Sequence, residues 1–225
     1  MTSPLRVRYQ TIEIGNKDIH LCTLRDKQEF SDPEGVAEEL GICSASWSLF
    51  GVIWPSSQVL ANHMLNYDIA EKRILEVGCG IGLTSIVLNQ RGADITATDY
   101  HPKVEDFLNT NTLLNNNKNI TFKRVDWANE HSTLGLFDVI IGSDLLYEDQ
   151  HIDMLAGFIE RHASPQCEVI LVDPGRGRKN KISTKMIEFG FASCHIKPEQ
   201  TDYLEQPFKG HILTFSRSLI NELTT

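Results

Sequence analysis

The chain has 225 residues, of which 41% are hydrophobic and 23% charged, and a formal net charge of −9. This length and balance predict one ordinary globular domain with a decoration, long enough to bury a substantial core. The negative charge speaks against a broad phosphate-binding surface, and hence against nucleic acid as a partner.

Leu5–Thr23 alternates in strand fashion around Gly15-Asn16, which predicts a β-hairpin. Asp26–Leu40 is polar and acidic, with Asp32-Pro33 and Gly35 as breakers, and reads as a surface connection holding at most a short helix. Ser44–Pro55 places Trp47, Phe50 and Trp54 among small residues, and Pro55 is suited to open a helix striped by Val59, Leu60, Met64 and Leu65. Trp47 reads as a core aromatic. We therefore divide the chain into residues 1–44, a hairpin with an acidic connection, and residues 45–225, the main domain.

Strand and helix patterns then alternate. Strands are predicted at Ile74–Val77, Ile95–Thr98, Ile120–Val125, Phe137–Gly142 and Val169–Val172. Helices are predicted after Gly82, over Pro102–Asn115, over Ile152–Arg161 and over Lys181–Gly190. Phe191–Ile196 and His211–Ser216 read as two closing strands, and the aperiodic Lys197–Gly210 between them is a candidate cover for a site. The alternation predicts an α/β fold: a doubly wound, Rossmann-like, mostly parallel sheet of seven strands with an antiparallel last strand.

The stretch Arg73–Gly82, RILEVGCGIG, organises the chain. An apolar strand runs into Gly78, Gly80 and Gly82, and a helix follows at once. Such a turn brings bare backbone to a ligand at the carboxyl edge of a sheet. The spacing is G-x-G-x-G with Leu83 after it, so the dinucleotide pattern G-x-G-x-x-G is not met. No Lys-Ser/Thr follows, so the Walker pattern fails as well. Glu76 stands two residues before the first glycine, and Asp99 ends the next strand. A carboxylate there suits a ribose with two free hydroxyls. A plain glycine turn and a nicotinamide site remain the alternatives. The other predicted strand ends carry Asp126-Trp127, Ser143-Asp144 and Asp173-Pro174.

The acid-x-G-x-G-x-G stretch with Asp99 resembles class I, seven-strand methyltransferases that use S-adenosyl-L-methionine (SAM). The resemblance implies that Glu76, Gly78, Gly80 and Gly82 lie against the amino acid part of SAM, and that Asp99 holds its ribose. It implies SAM as cofactor, with S-adenosyl-L-homocysteine as product. Asp126 then suits the adenine amine and Trp127 its edge or face, with Ser143 beside them. The run Asp144-Leu145-Leu146-Tyr147, together with Trp54-Pro55, resembles the family-16 protein lysine methyltransferases. The segment Asp173–Arg176 is similar to the branch that modifies the electron-transfer flavoprotein β subunit. That likeness casts Asp144 and Tyr147 as the catalytic pair lining an acceptor-lysine pocket, with Trp54 bordering the cofactor. Asp144 capping the next helix, with Tyr147 packed beneath it, is the structural alternative.

The expected function is a SAM-dependent N-methyltransferase acting on a lysine of a protein substrate. A small-molecule amine or nicotinamide-type acceptor is the alternative, and a non-catalytic SAM-binding module the second. A lysine acceptor must arrive neutral against an ordinary pKa near ~10.4. A nearby carboxylate raises that value, so Asp144 is expected to position the amine rather than deprotonate it. The basic run Arg176–Lys181 reads as a solvated loop or as a dock for an acidic surface. His101, close after Asp99, reads as an ordinary surface histidine, with a place near the ribose as the alternative.

The cysteines (22, 43, 79, 167 and 194) are odd in number and include no C-x-x-C, which fits a reducing compartment. The eight histidines show no H-x-H or H-E-x-x-H spacing, so no metal is expected. The start, MTSPLRVRYQT, lacks the apolar core of a secretion signal, and no apolar run reaches the ~18 residues of a membrane span. A cytoplasmic protein without membrane contact is expected, with its oligomeric state open.

Overall fold

The computed structural model describes residues 5–147 and 149–218. The outer ends of the two predicted segments, 1–4 and 219–225, lie outside the described residues. Strands β1 (Val7–Ile14) and β2 (Lys17–Leu24) form the hairpin, with Ile14 opposite Lys17 across a two-residue turn. Gly15 at φ 63° supplies the left-handed backbone that such a turn needs. The acidic connection holds α1 (Val36–Glu39), and α2 (Ser44–Trp47) runs into a 3-10 turn, Ser48–Gly51. Helix α3 (Pro55–His63) opens on Pro55, whose missing N–H costs nothing at the first helical position.

The main sheet follows as β3 (Arg73–Val77), α4 (Leu83–Gln90), β4 (Asp94–Asp99), α5 (Val104–Leu114), β5 (Thr121–Arg124), β6 (Phe137–Ser143), α6 (Asp149–His162), β7 (Ala163–Asp173), α7 (Lys179–Glu188), β8 (Ala192–Ile196) and β9 (His211–Arg217). Its seven strands lie in the order β5-β4-β3-β6-β7-β9-β8. The first five run parallel, and β9 runs antiparallel to both β7 and β8. This is the predicted architecture. Strand β7 is longer than predicted, because Ala163 joins Phe137 ahead of a register shift.

Apolar side chains cover both faces of the sheet. On one, Val59, Leu60, Ile86, Val87, Val104 and Leu108 pack with Ile14, Ile19, Leu21 and Leu24 of the hairpin. On the other, Ile152, Leu155, Phe158 and Ile159 of α6 pack with Ile182 and Met186 of α7. Burying each such side chain contributes about 1.5–3 kcal/mol. Trp47 is fully buried, as the sequence predicts. Among the described residues no helix is long and apolar enough to cross a membrane.

The chain leaves β3 toward β4 on one side and β6 enters on the other. The loops after these two strands therefore part, and a crevice opens at their carboxyl ends. The segment Lys197–Gly210 does not cover that crevice, contrary to the sequence expectation. Lys197–Gln200 and Tyr203 instead line a separate open groove with Asn62, His63 and Tyr67. The antiparallel return of β9 carries the segment away.

Candidate active site

A cavity of about 520 Å³ opens at the crevice, within the size range of small-molecule and cofactor sites. Its walls include Trp54, Glu76, Gly78, Gly80, Asp99, Asp126, Trp127, Ser143, Asp144 and Tyr147. Ten of the eleven candidate residues thus meet in one place. Gly82 does not line it. It caps α4 at φ 81°, and a Cβ there would stand 2.2 Å from Leu108 Cδ1. Its bareness leaves room for the Leu108 side chain of α5 at the start of α4.

Gly80 is the loop glycine whose added Cβ would meet main chain rather than a side chain. Its φ is 52°, and a Cβ would stand 2.8 Å from the main-chain oxygen of Phe50. The Gly80 N–H donates to Asp99 Oδ2 at 2.9 Å, and the His101 N–H donates to Asp99 Oδ1 at 2.9 Å. Burial pushes the Asp99 carboxyl above its usual range, against these main-chain donors. Glu76 is buried beneath the loop, where its Oε2 accepts from the Ser85 N–H at 2.9 Å and from the Ser85 hydroxyl. It thereby ties β3 to the first turn of α4. Burial raises its carboxyl to about 7, with the Ser85 hydrogen bonds opposing.

One wall is aromatic. His101 is buried, not on the surface as its sequence context suggests. Its ring stacks on Phe50 at 4.1 Å and meets Trp47 edge-on at 5.2 Å. Desolvation lowers it to about 4, so it is neutral at pH 7. Its Nε2 makes no hydrogen bond within the protein. Trp54 donates from Nε1 to the Leu49 oxygen at 2.8 Å, and Lys27 Nζ sits 5.2 Å from its ring centre. Leu40, Gly41 and Ile42 add a rim. The end of the predicted surface connection is therefore part of the cavity, held by the Tyr100 hydroxyl donating to the Leu40 oxygen at 2.8 Å.

On the β5 side, Asp126 Oδ1 accepts from the Ala128 N–H at 2.9 Å, which shapes the turn. Arg161 anchors that loop by donating to the Trp127 oxygen at 2.7 Å, and the Trp127 ring meets His151 edge-on.

The far end of the cavity holds Asp144, buried and in left-handed backbone at φ 55°. Its N–H donates to the Val172 oxygen, fixing the turn after β6 on the end of β7. Among the described residues its carboxylate makes no bond to the start of α6. Arg176 takes it with two bonds, Nε to Oδ1 at 2.5 Å and Nη2 to Oδ2 at 2.9 Å. The same guanidinium lies 4.4 Å from the Tyr147 ring centre. Burial first, then Asp144, pushes the Tyr147 phenol up to about 12, so it is protonated at neutral pH. The rest of the basic run is also paired: Arg178 and Lys181 both meet Asp149, and Lys179 Nζ lies 3.2 Å from His211. Three features of the site escape sequence reasoning: the Arg176 clamp on Asp144, the burial of His101 and the 40–42 rim. The Asp173–Arg176 segment and the nearness of His101 to Asp99 were the signals that could have found the first two. Among the described residues no group of three metal-ligating side chains comes together.

Comparison with known proteins gives a family profile, lysine methyltransferase, that matches residues 42–188. Protein N-lysine methyltransferase METTL21A of Danio rerio is 30% identical over 139 residues, covering 57% of this chain and 63% of that protein. EEF1A lysine methyltransferase 3 of Mus musculus is 24% identical over 147 residues, covering 61% and 62%. The chain thus matches under two thirds of the length of these curated relatives. Among solved structures, the ribosomal protein L11 methylase of Lactobacillus delbrueckii subsp. bulgaricus aligns with a TM-score of 0.61 at 17% identity, covering 93% of this chain and 98% of that one. The Thermus thermophilus 16S rRNA N2 G1207 methyltransferase, solved with AdoMet and guanosine, aligns with a TM-score of 0.66 at 14% identity, covering 95% and 51%. At such identities these two establish the fold.

Proposed function

Because the chain belongs to the lysine methyltransferase family, we propose that it is a SAM-dependent N-methyltransferase whose acceptor is a lysine side chain of a protein. The observation that carries this reading is a single cavity with two kinds of wall. The glycine loop with Asp99 forms one end, and Asp144 with Tyr147 forms the other. A cofactor and an acceptor can therefore meet inside it.

The residues present fit SAM. Each Asp99 oxygen takes one main-chain N–H, so lone pairs remain for two ribose hydroxyls. Gly80 lines the cavity, and its missing Cβ makes room for the main chain of Phe50, which lines it too. The unpartnered Nε2 of His101 adds a buried polar atom at the same wall. Asp99 and Asp126, with the Asp144–Arg176 pair at the far end, give the cavity an acidic lining that suits a cationic ligand. In this reading Asp99 and the loop hold the nucleoside, Asp126 and Trp127 border its base, and Trp54 and Ser143 close the sides. When bound, SAM supplies a methyl group already activated by its sulfonium, so the protein's task is alignment more than acid–base work. Asp144 orients the amine, and Tyr147, protonated and with its ring exposed to the cavity, packs on the lysine stem. A cytoplasmic setting agrees with five free cysteines, two of them exposed.

The test supplies labelled SAM and extract proteins to the purified chain. Label in acid-precipitable protein, recovered as methyl-lysine, is expected, and Asp99→Ala should weaken SAM binding at least tenfold by calorimetry. Label confined to small molecules would favour a free amine as acceptor. Tight SAM binding with no transfer at all would mean a binding module.

A further inference from the structure

Asp144 presents a conflict under this reading. A buried carboxylate next to an incoming lysine holds it as a cation, whereas transfer needs the neutral amine. An uncompensated carboxylate that raises the amine's pKa by one to two units cuts its neutral fraction by about ten- to a hundred-fold at neutral pH. Asp144 is only 4% exposed, so solvent does little to screen its carboxylate from an incoming amine.

The structure shows what offsets that charge. Arg176 spans Asp144 with two bonds, one to each carboxylate oxygen. Hydrogen bonding to Asp144 raises the guanidinium further above its ordinary range, so it is always charged. It reaches Asp144 from the turn after β7, between Gly175 at φ 102° and Gly177 at φ 80°. Those two left-handed residues let the chain double back so that a side chain 32 positions on meets the turn after β6. Paired in this way, each carboxylate oxygen keeps a second lone pair for another donor. Among the described residues, the other charges acting on the pair are Asp173 at the end of β7, on Arg176, and Asp99 at the end of β4, on Tyr147. Glu76 and Asp126 line the same cavity, with His151 of α6. Asp173, Asp99 and Asp126 are acids and Glu76 is held toward its neutral form, so Arg176 is the cation that balances this end.

We propose that Arg176 is a positioning residue: it neutralises Asp144, so that the carboxylate orients an incoming amine by hydrogen bonding without holding it as a cation. The inference rests on the reading of Asp144 and Tyr147 as the acceptor end. It also explains the stacking of Arg176 on Tyr147, which keeps the guanidinium beside the pocket.

The test uses Arg176→Met, which keeps the stem and removes the charge, in the full chain saturated with S-adenosyl-L-homocysteine. The probe is n-butyltrimethylammonium, a permanent cation the length of a lysine stem. Arg176→Met should bind it at least tenfold more tightly than wild type, and Arg176→Met/Asp144→Asn should lose that gain. In the labelled-SAM assay the pH profile of Arg176→Met should move about one unit alkaline, with Arg176→Lys restoring part of the wild-type profile. Unchanged cation affinity would overturn the proposal. So would faster turnover of Arg176→Met at neutral pH, since Arg176 would then be a plug that the acceptor displaces. Retained S-adenosyl-L-homocysteine binding shows that the variants fold. Absence of transfer by the wild type would instead count against the proposed function, while the cation comparison would still decide the role of Arg176.

Discussion

Glu76 has a task apart from ligand contact. One of its oxygens is engaged by Ser85, so the acid works as a clasp between β3 and α4. The fold raises its pKa from 4.5 to about 7, which favours the neutral form. Stability tied to this group is therefore fully present below pH 4.5 and lost as pH rises through about 7. His101 acts on the other side: its folded value of about 4 lies below its ordinary 6.5, so its contribution is lost as pH falls through that window. A difference curve against Glu76→Gln cancels the histidine and isolates the acid. Between pH 4.5 and 7.5 the wild type should lose up to ~3 kcal/mol relative to Glu76→Gln, measured by urea unfolding across a pH series. Parallel curves would show that the carboxylate is charged throughout.

At the scale of elements, Asn111 is the joint that holds the site's framework together. It sits fully buried on α5, accepts from the Cys22 N–H at 2.6 Å, and donates to the Cys22 oxygen at 3.2 Å and the Ile81 oxygen at 2.9 Å. One amide thereby links the edge strand β2, helix α5 and the glycine loop. Asn111→Ala leaves two main-chain oxygens and one N–H buried without that partner. The expected cost is about 3 kcal/mol, at about 1–3 kcal/mol for each unsatisfied group with partial relaxation. Thermal unfolding by circular dichroism reads the loss, and calorimetry should show weaker SAM binding, because Ile81 lies in the cradle. The amphipathic pattern of α5 marks its apolar face but says nothing of this amide. Asn111 stands on that face as an apparent misfit, and only its partners, 89 and 30 residues away, explain it.

At the scale of the molecule, hairpin and sheet share one core. Ile14, Ile19, Leu21 and Leu24 are buried in the same apolar cluster as Val59, Leu60 and Leu108. Four such side chains represent at least ~6 kcal/mol of burial, comparable to the ~5–15 kcal/mol stability of a whole domain. A chain that starts at residue 27 should therefore show no cooperative thermal transition by scanning calorimetry. A sharp transition near the full-length midpoint would mean that the hairpin is dispensable. The hairpin itself was legible, since a two-residue Gly-Asn turn and strict alternation are local signals. Its place against α5 was not.

The α/β alternation, the parallel strands, the glycine cradle and the row of strand-end acids follow from the sequence alone. Each depends on backbone geometry and on apolar periods a few residues long, which any short window of the chain displays. The pairing of Arg176 with Asp144, the burial of His101 and the turning away of Lys197–Gly210 were decided only by the tertiary structure. These depend on which loops the sheet order brings side by side, and a charge or a ring finds its partner only after the layers have packed.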